Sequence, residues 1–158
     1  MSGSDPFAVA LRLLTGREHS RTELEAKLGR RGFTADAIAA VVERCRDLGY
    51  LDDGRFARCR ARSLMESGRA FGPKLLRDLR RFGIDAETAA QAVAEIQEDR
   101  SEQELLADLA DRRFPDFRWA EADDRQRRRV VNYFLRRGFT PGLVLTFFKT
   151  KRGTPETP

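Results

Sequence analysis

The 158-residue chain is long enough for one ordinary domain or a short array of smaller units. Hydrophobic residues make up 41% and charged residues 35%, which excludes a disordered chain but points to a thin or elongated core. The net charge of +5 is carried almost wholly by arginine. No run approaches the roughly 20 apolar residues of a membrane span, and the first residues lack the basic-then-apolar pattern of a secretory signal.

Phe7, Val9, Ala10, Leu13 and Leu14 predict a short first helix stopped by Gly16. His19 falls in the segment that follows, which reads as an exposed loop; a single histidine without Cys or acidic partners at ligand spacing holds no metal. Ser20-Arg21-Thr22-Glu23 reads as a capping box opening a second helix. The third runs from Ala35 to about Leu48, with Ile38, Val41, Val42 and Cys45 on one face. Asp52 or Asp53 caps the next, which runs through Met65; Gly68 and Gly72 bracket a linker, and Pro73 starts the fifth helix. Ala86 to about Gln97 makes the sixth. Ser101-Glu102-Gln103-Glu104 is a second capping box, for a helix to about Arg113 that Phe114-Pro115-Asp116-Phe117 breaks. Asp123 or Asp124 opens a helix to Arg137, Pro141 to Lys149 forms the last, and 151–158 reads as a disordered tail. No strand-like alternation is present.

Three segments within these helices repeat one pattern. An apolar-periodic helix ends in two arginines or nearly so, then glycine, an apolar residue, and Thr or Asp: Gly32-Phe33-Thr34, Gly83-Ile84-Asp85 and Gly138-Phe139-Thr140. Glycine enters the left-handed region without steric cost and so ends a helix. The apolar residue packs back on that helix, and the Thr or Asp caps the next. The pattern predicts an all-α fold of three tandem three-helix units, 1–50, 51–99 and 100–150, forming an elongated, curved body with a long side surface for a partner.

No catalytic constellation is present. Gly29-Arg30-Arg31-Gly32 has the wrong spacing for a phosphate loop, one histidine rules out HExxH, and no Ser or Cys lies in a nucleophile elbow. Asp52-Asp53 precedes a helix, so capping accounts for it better than a metal does. Cys45 and Cys59 form no CxxC pair and read as two part-buried thiols in a reducing compartment. These readings imply a binding protein without cofactor.

What remains is basic charge. From Arg55 to Arg81 nine basic residues stand against two acids, Glu66 and Asp78. Arg55, Arg58 and Arg62 share one helical stripe, with Arg69 in the linker after it; Lys74, Arg77 and Arg81 share another, opposite Leu75, Leu79 and Phe82. From Arg125 to Arg152 there is no acid at all, and Arg125, Arg129 and Arg136 follow helical spacing away from Val130, Val131, Phe134 and Leu135. Local exclusion of acids that are abundant elsewhere points to a phosphate backbone or an acidic protein, contacted without sequence preference.

Gly49-Tyr50-Leu51-Asp52-Asp53-Gly54-Arg55-Phe56-Ala57 and the segment Arg69-Ala70-Phe71-Gly72-Pro73-Lys74 through Phe82-Gly83-Ile84 resemble the first-junction and second-repeat signatures of the RecX family. The resemblance runs from about Phe7 to Lys149; the third repeat matches only in its helical pattern. It implies a cytoplasmic, non-enzymatic regulator that binds the RecA recombinase filament and, more weakly, single- and double-stranded DNA; the chain itself is expected to be a monomer. Such a regulator limits filament growth, ATP hydrolysis and strand exchange, and so modulates recombinational repair and the SOS response. The rival reading is a sequence-specific helix-turn-helix transcriptional regulator, with the helix from Ala35 as reader. Its first two turns offer one acid and no Arg, Asn or Gln for base edges.

Overall fold

The structure, a computed structural model, describes residues 3–150, and every regular element among them is an α-helix. Asp5 accepts the Phe7 amide to cap α1 (Pro6–Gly16), with Pro6 at the start, where an N–H has no helical partner. Ser20 caps α2 (Arg21–Arg30) by accepting the Glu23 amide at 3.1 Å. The predicted box is only half formed, because the Glu23 carboxylate is engaged by Arg17 and lies 3.8 Å from Lys27 Nζ. Thr34 caps α3 (Ala35–Asp47).

Both carboxylates at the start of α4 (Asp53–Glu66) are accounted for. Asp52 accepts the Arg55 amide at 2.9 Å as the cap, and Asp53 accepts the Arg21 amide at 2.7 Å, tying the start of α2 to the start of α4. Helices α5 (Gly72–Arg81) and α6 (Ala86–Asp99) follow, the latter capped by Asp85 through the Thr88 amide at 2.8 Å. Full capping boxes open α7 (Glu102–Arg113), from Ser101 and Glu104, and α8 (Asp124–Arg136), from Asp123 and Gln126. Thr140 precedes α9 (Pro141–Thr150). The predicted tail at 151–158 lies outside the described residues.

The three sequence corners share one hydrogen-bond pattern. Gly32, Gly83 and Gly138 have φ of 87°, 77° and 104°. Each donates its amide to the carbonyl three residues back, and the next residue donates five residues back: Phe33 to Leu28, Ile84 to Leu79, Phe139 to Phe134. These are Schellman turns, which use carbonyls that the helix end leaves open.

The chain divides into two compact units, Met1–Ala61 with Arg77–Ala94, and Arg62–Leu76 with Glu95–Pro158. The division runs through α4, α5 and α6, whereas the division into repeats at 1–50, 51–99 and 100–150 follows sequence pattern. In the first unit α1 packs on α2 and α3, and Val9, Ala10, Leu24, Leu28, Val42 and Cys45 form its core. In the second unit α9 packs on α7 and α8 over an aromatic core. Phe134 touches Phe114, Tyr133, Phe139 and Phe148, and Phe71 stacks on Phe139 with centroids 4.0 Å apart.

Three expectations need correction. His19 is buried, not on an exposed loop: its Nδ1 lies 2.9 Å from the Arg17 carbonyl and its Nε2 3.0 Å from Lys27 Nζ. The two cysteines are not alike, Cys45 being buried and Cys59 exposed. The linker between Gly68 and Gly72 is a core segment at its end, since Ala70 and Phe71 are buried and the Phe71 amide donates to the Arg137 carbonyl at 2.8 Å.

Candidate nucleic-acid and protein interface

Helix α5 is two-sided. Leu75 and Leu79 are fully buried, while Lys74, Arg77, Arg80 and Arg81 are exposed. Its only acid, Asp78, is engaged by Arg60 of α4, whose guanidinium also lies 4.2 Å from the centroid of Phe82. The four basic side chains of α5 therefore have no ion-pair partner among the described residues. Positions 74, 77 and 81 follow the spacing that keeps side chains on one side of a helix.

The stripe on α4 is different. Arg55 is half-buried, donating from Nε to Glu18 at 2.6 Å and from Nη2 to the Gly49 carbonyl at 3.1 Å. Hydrogen bonding to Glu18 raises its pKa further above the ordinary arginine value, although burial opposes this. Arg62 lies 3.3 Å from Asp99 and 4.0 Å from Glu66. Arg58 is exposed, and Arg69 is exposed with its Nε donating to Ser67 Oγ at 3.2 Å. Arg55 and Arg62 thus already spend their charge inside the molecule.

On α8, Arg125, Arg129 and Arg136 are exposed with no ion-pair partner among the described residues, and Val130 and Phe134 are buried on the other side. The rest of the acid-free run is partly committed. Arg137 lies 3.5 Å over the Tyr133 ring, and Arg127 donates to the Trp119 carbonyl at 3.0 Å. Lys151 and Arg152 fall outside the described residues.

A family model described as "RecX, first three-helix domain" matches residues 7–45. The chain is 48% identical over 149 residues to the regulatory protein RecX of Syntrophotalea carbinolica, covering 94% of this chain and 97% of that protein. It is 36% identical over 146 residues to that of Trichlorobacter lovleyi, covering 92% and 95%. The chain belongs to the RecX family of regulatory proteins.

The fold agrees with this membership. The crystal structure of RecX from Lactobacillus salivarius superposes with a TM-score of 0.72 at 23% identity, covering 92% of this chain and 94% of that one. A second crystal structure of regulatory protein RecX gives 0.71 at 16% identity, over 89% and 70%. The all-helical repeat architecture predicted from the three glycine corners is thus a RecX architecture.

No group of His, Cys, Asp or Glu among the described residues is arranged to hold a metal ion, and no described helix is long and apolar enough to cross a membrane. The start of α3, which a base-reading helix would place in a groove, exposes Ala35, Asp36, Ala39 and Ala40. None of these can donate to a base edge.

Sequence reasoning missed one feature, a cleft of about 460 Å³ in the second unit beside the segment joining α7 to α8. The signal was present in Phe114-Pro115-Asp116-Phe117-Arg118-Trp119, which is aromatic and charged beyond what ending a helix requires.

Proposed function

We propose that this chain binds the RecA–DNA filament and limits its growth, ATP hydrolysis and strand exchange, modulating recombinational repair and the SOS response. It acts as a cytoplasmic monomer without catalysis or cofactor. The observation that carries this reading is the unpaired basic face of α5, opposite a buried apolar face, in a member of a regulatory family. A solvated face does not need its one acid drawn off by an arginine of another helix. Lys74, Arg77 and Arg81 are the principal contacts, Arg69, Arg125, Arg129 and Arg136 supplement them, and Arg55, Arg58 and Arg62 act after exchanging their internal partners. Arginine suits this role because its planar fork matches phosphate and carboxylate.

The test is retention of the chain on immobilised RecA with and without single-stranded DNA, beside its affinity for DNA alone across a salt series. Retention on the filament is expected. DNA binding should be weak, with log affinity falling linearly against log salt, since each neutralised phosphate releases counterions. Absence of retention in both arms would overturn the reading.

A further inference from the structure

The cleft beside α8 has a mixed lining of which the filament contact uses only Arg129. Phe114 and Phe117 are half-buried in its wall, braced edge-on by Tyr133 and by Phe148 at centroid distances of 5.0 and 5.4 Å. Arg118 also lines the cleft and fixes the loop by donating to the Pro115 and Phe117 carbonyls at 3.3 and 3.2 Å.

The remaining charges are the informative ones. Arg113 and Arg129 line the same cleft as Asp116 and Glu121, yet none of these four side chains has an ion-pair or hydrogen-bond partner among the described residues. Elsewhere in the chain opposite charges in reach of each other do pair, as Arg17 does with Glu23 and Arg100 with Asp108. Here donors and acceptors of both signs stand separately around a partly aromatic wall.

That combination fits one ligand chemistry better than the alternatives. An acidic peptide presents acceptors and would meet Asp116 and Glu121 as like charges. A bare phosphate has no use for an aromatic wall. A nucleotide has a flat face that stacks on an aromatic ring, a base edge carrying both donors and acceptors, and a phosphate for guanidinium groups. A volume of about 460 Å³ lies within the range of roughly 300–1,000 Å³ typical of small-ligand sites.

We propose that this cleft holds one unstacked nucleotide, its base against Phe114 and Phe117, its edge toward Asp116 and Glu121, and its phosphate on Arg113 and Arg129. The site is distinct from the basic face of α5. It depends on the filament reading only for where a single strand would come from.

The full chain, labelled with ¹⁵N, is titrated with each deoxynucleoside 5′-monophosphate and with 2-deoxyribose 5-phosphate as the base-less control. Amide shifts are expected at residues 113–122 and 126–130, with the control binding at least tenfold more weakly. An eight-nucleotide single strand and the same strand carrying abasic sugars separate the two sources. A strand ligand gains at least tenfold over the monophosphates and loses that gain when abasic, whereas a free-nucleotide ligand gains nothing. The variant R113E/R129E loses the shifts, and R77E/R81E keeps them. Mononucleotide binding needs no recombinase, so loss of RecA retention would leave this proposal standing, and the reverse holds. It is overturned if no shifts occur at the cleft, if the base-less control binds equally, or if R113E/R129E folds and still binds.

Discussion

Arg60 on α4 holds the carboxylate of Asp78 on α5, a pairing across eighteen residues of sequence made through both Nε and Nη2. Both side chains are partly shielded, and the pairing leaves the basic side chains of α5 uncompensated. Asp78→Asn should therefore separate the structural role of this acid from its charge. Stability to urea should fall by about 1 kcal/mol, the usual worth of a charge-assisted bond at a partly exposed site. Affinity for DNA should hold or rise, because α5 gains a unit of net charge. A loss of DNA affinity in folded protein would mean that the carboxylate itself positions the contact.

Arg77 and Arg81 are exposed and unpaired, so R77E/R81E should fold nearly as the parent does. Inhibition of RecA ATP hydrolysis on single-stranded DNA should weaken tenfold or more, equivalent to about 1.4 kcal/mol. The control must be chosen from structure. Arg44 and Arg46 lie outside the basic runs, but Arg44 sits 3.8 Å over the Phe7 ring and Arg46 pairs with Glu43 at 2.7 Å. Arg30 and Arg31 are exposed and unpaired at the end of α2, matching Arg81 at the end of α5 in their position against the helix dipole. R30E/R31E should inhibit as the parent does. A folded R77E/R81E that still inhibits fully would move the main contact to Arg125, Arg129 and Arg136.

The three corner glycines should differ in their tolerance of alanine. All three have positive φ, which costs an L-residue roughly 1–2 kcal/mol. At Gly32 a Cβ meets open space, so Gly32→Ala should cost only that strain. At Gly83 it would meet the Thr22 side chain, whose Oγ1 can rotate away but whose Cβ, within 2.7 Å, cannot, and at Gly138 it would collide with the Phe71 carbonyl oxygen, which is backbone. Chemical denaturation should rank the losses Gly138 above Gly83 above Gly32. Equal losses would show that φ alone sets the cost.

Those corners were legible in the sequence because every part of them is local: a glycine, the apolar residue after it, and a cap within four positions. The two-sidedness of α5 was legible from its period for the same reason. Sequence could not show which arginines remain available, because Arg55 finds Glu18 thirty-seven residues away and Arg60 finds Asp78 eighteen away. Phe71 was misread as linker because its partners, Arg137 and Phe139, lie far along the chain, just after α8. The cleft was hidden for a related reason. Phe114 and Phe117 look like a helix stop until Tyr133 and Phe148 are brought against them.

His19 was misjudged as exposed, and its burial sets a pH dependence. The Arg17 carbonyl can only accept and the charged Lys27 ammonium can only donate, so the ring is neutral with its proton on Nδ1. Burial lowers its pKa from the usual 6.5; the bond to the Arg17 carbonyl and the charge of Glu23 oppose this, and the charges of Arg17 and Lys27 reinforce it. A histidine whose folded pKa lies below its unfolded value binds its proton more readily when the chain is unfolded. Stability is therefore full above pH of about 6.5 and falls as pH drops through the window between the two values, by up to about 1.4 kcal/mol per pH unit for one proton. Urea midpoints measured from pH 7.5 down to 5.5 should show this decline. In His19→Gln, which keeps a donor and an acceptor but cannot titrate, stability should be lower at pH 7.5 and nearly flat over the same range. A slope in that variant equal to the parent's would assign the pH dependence to other groups.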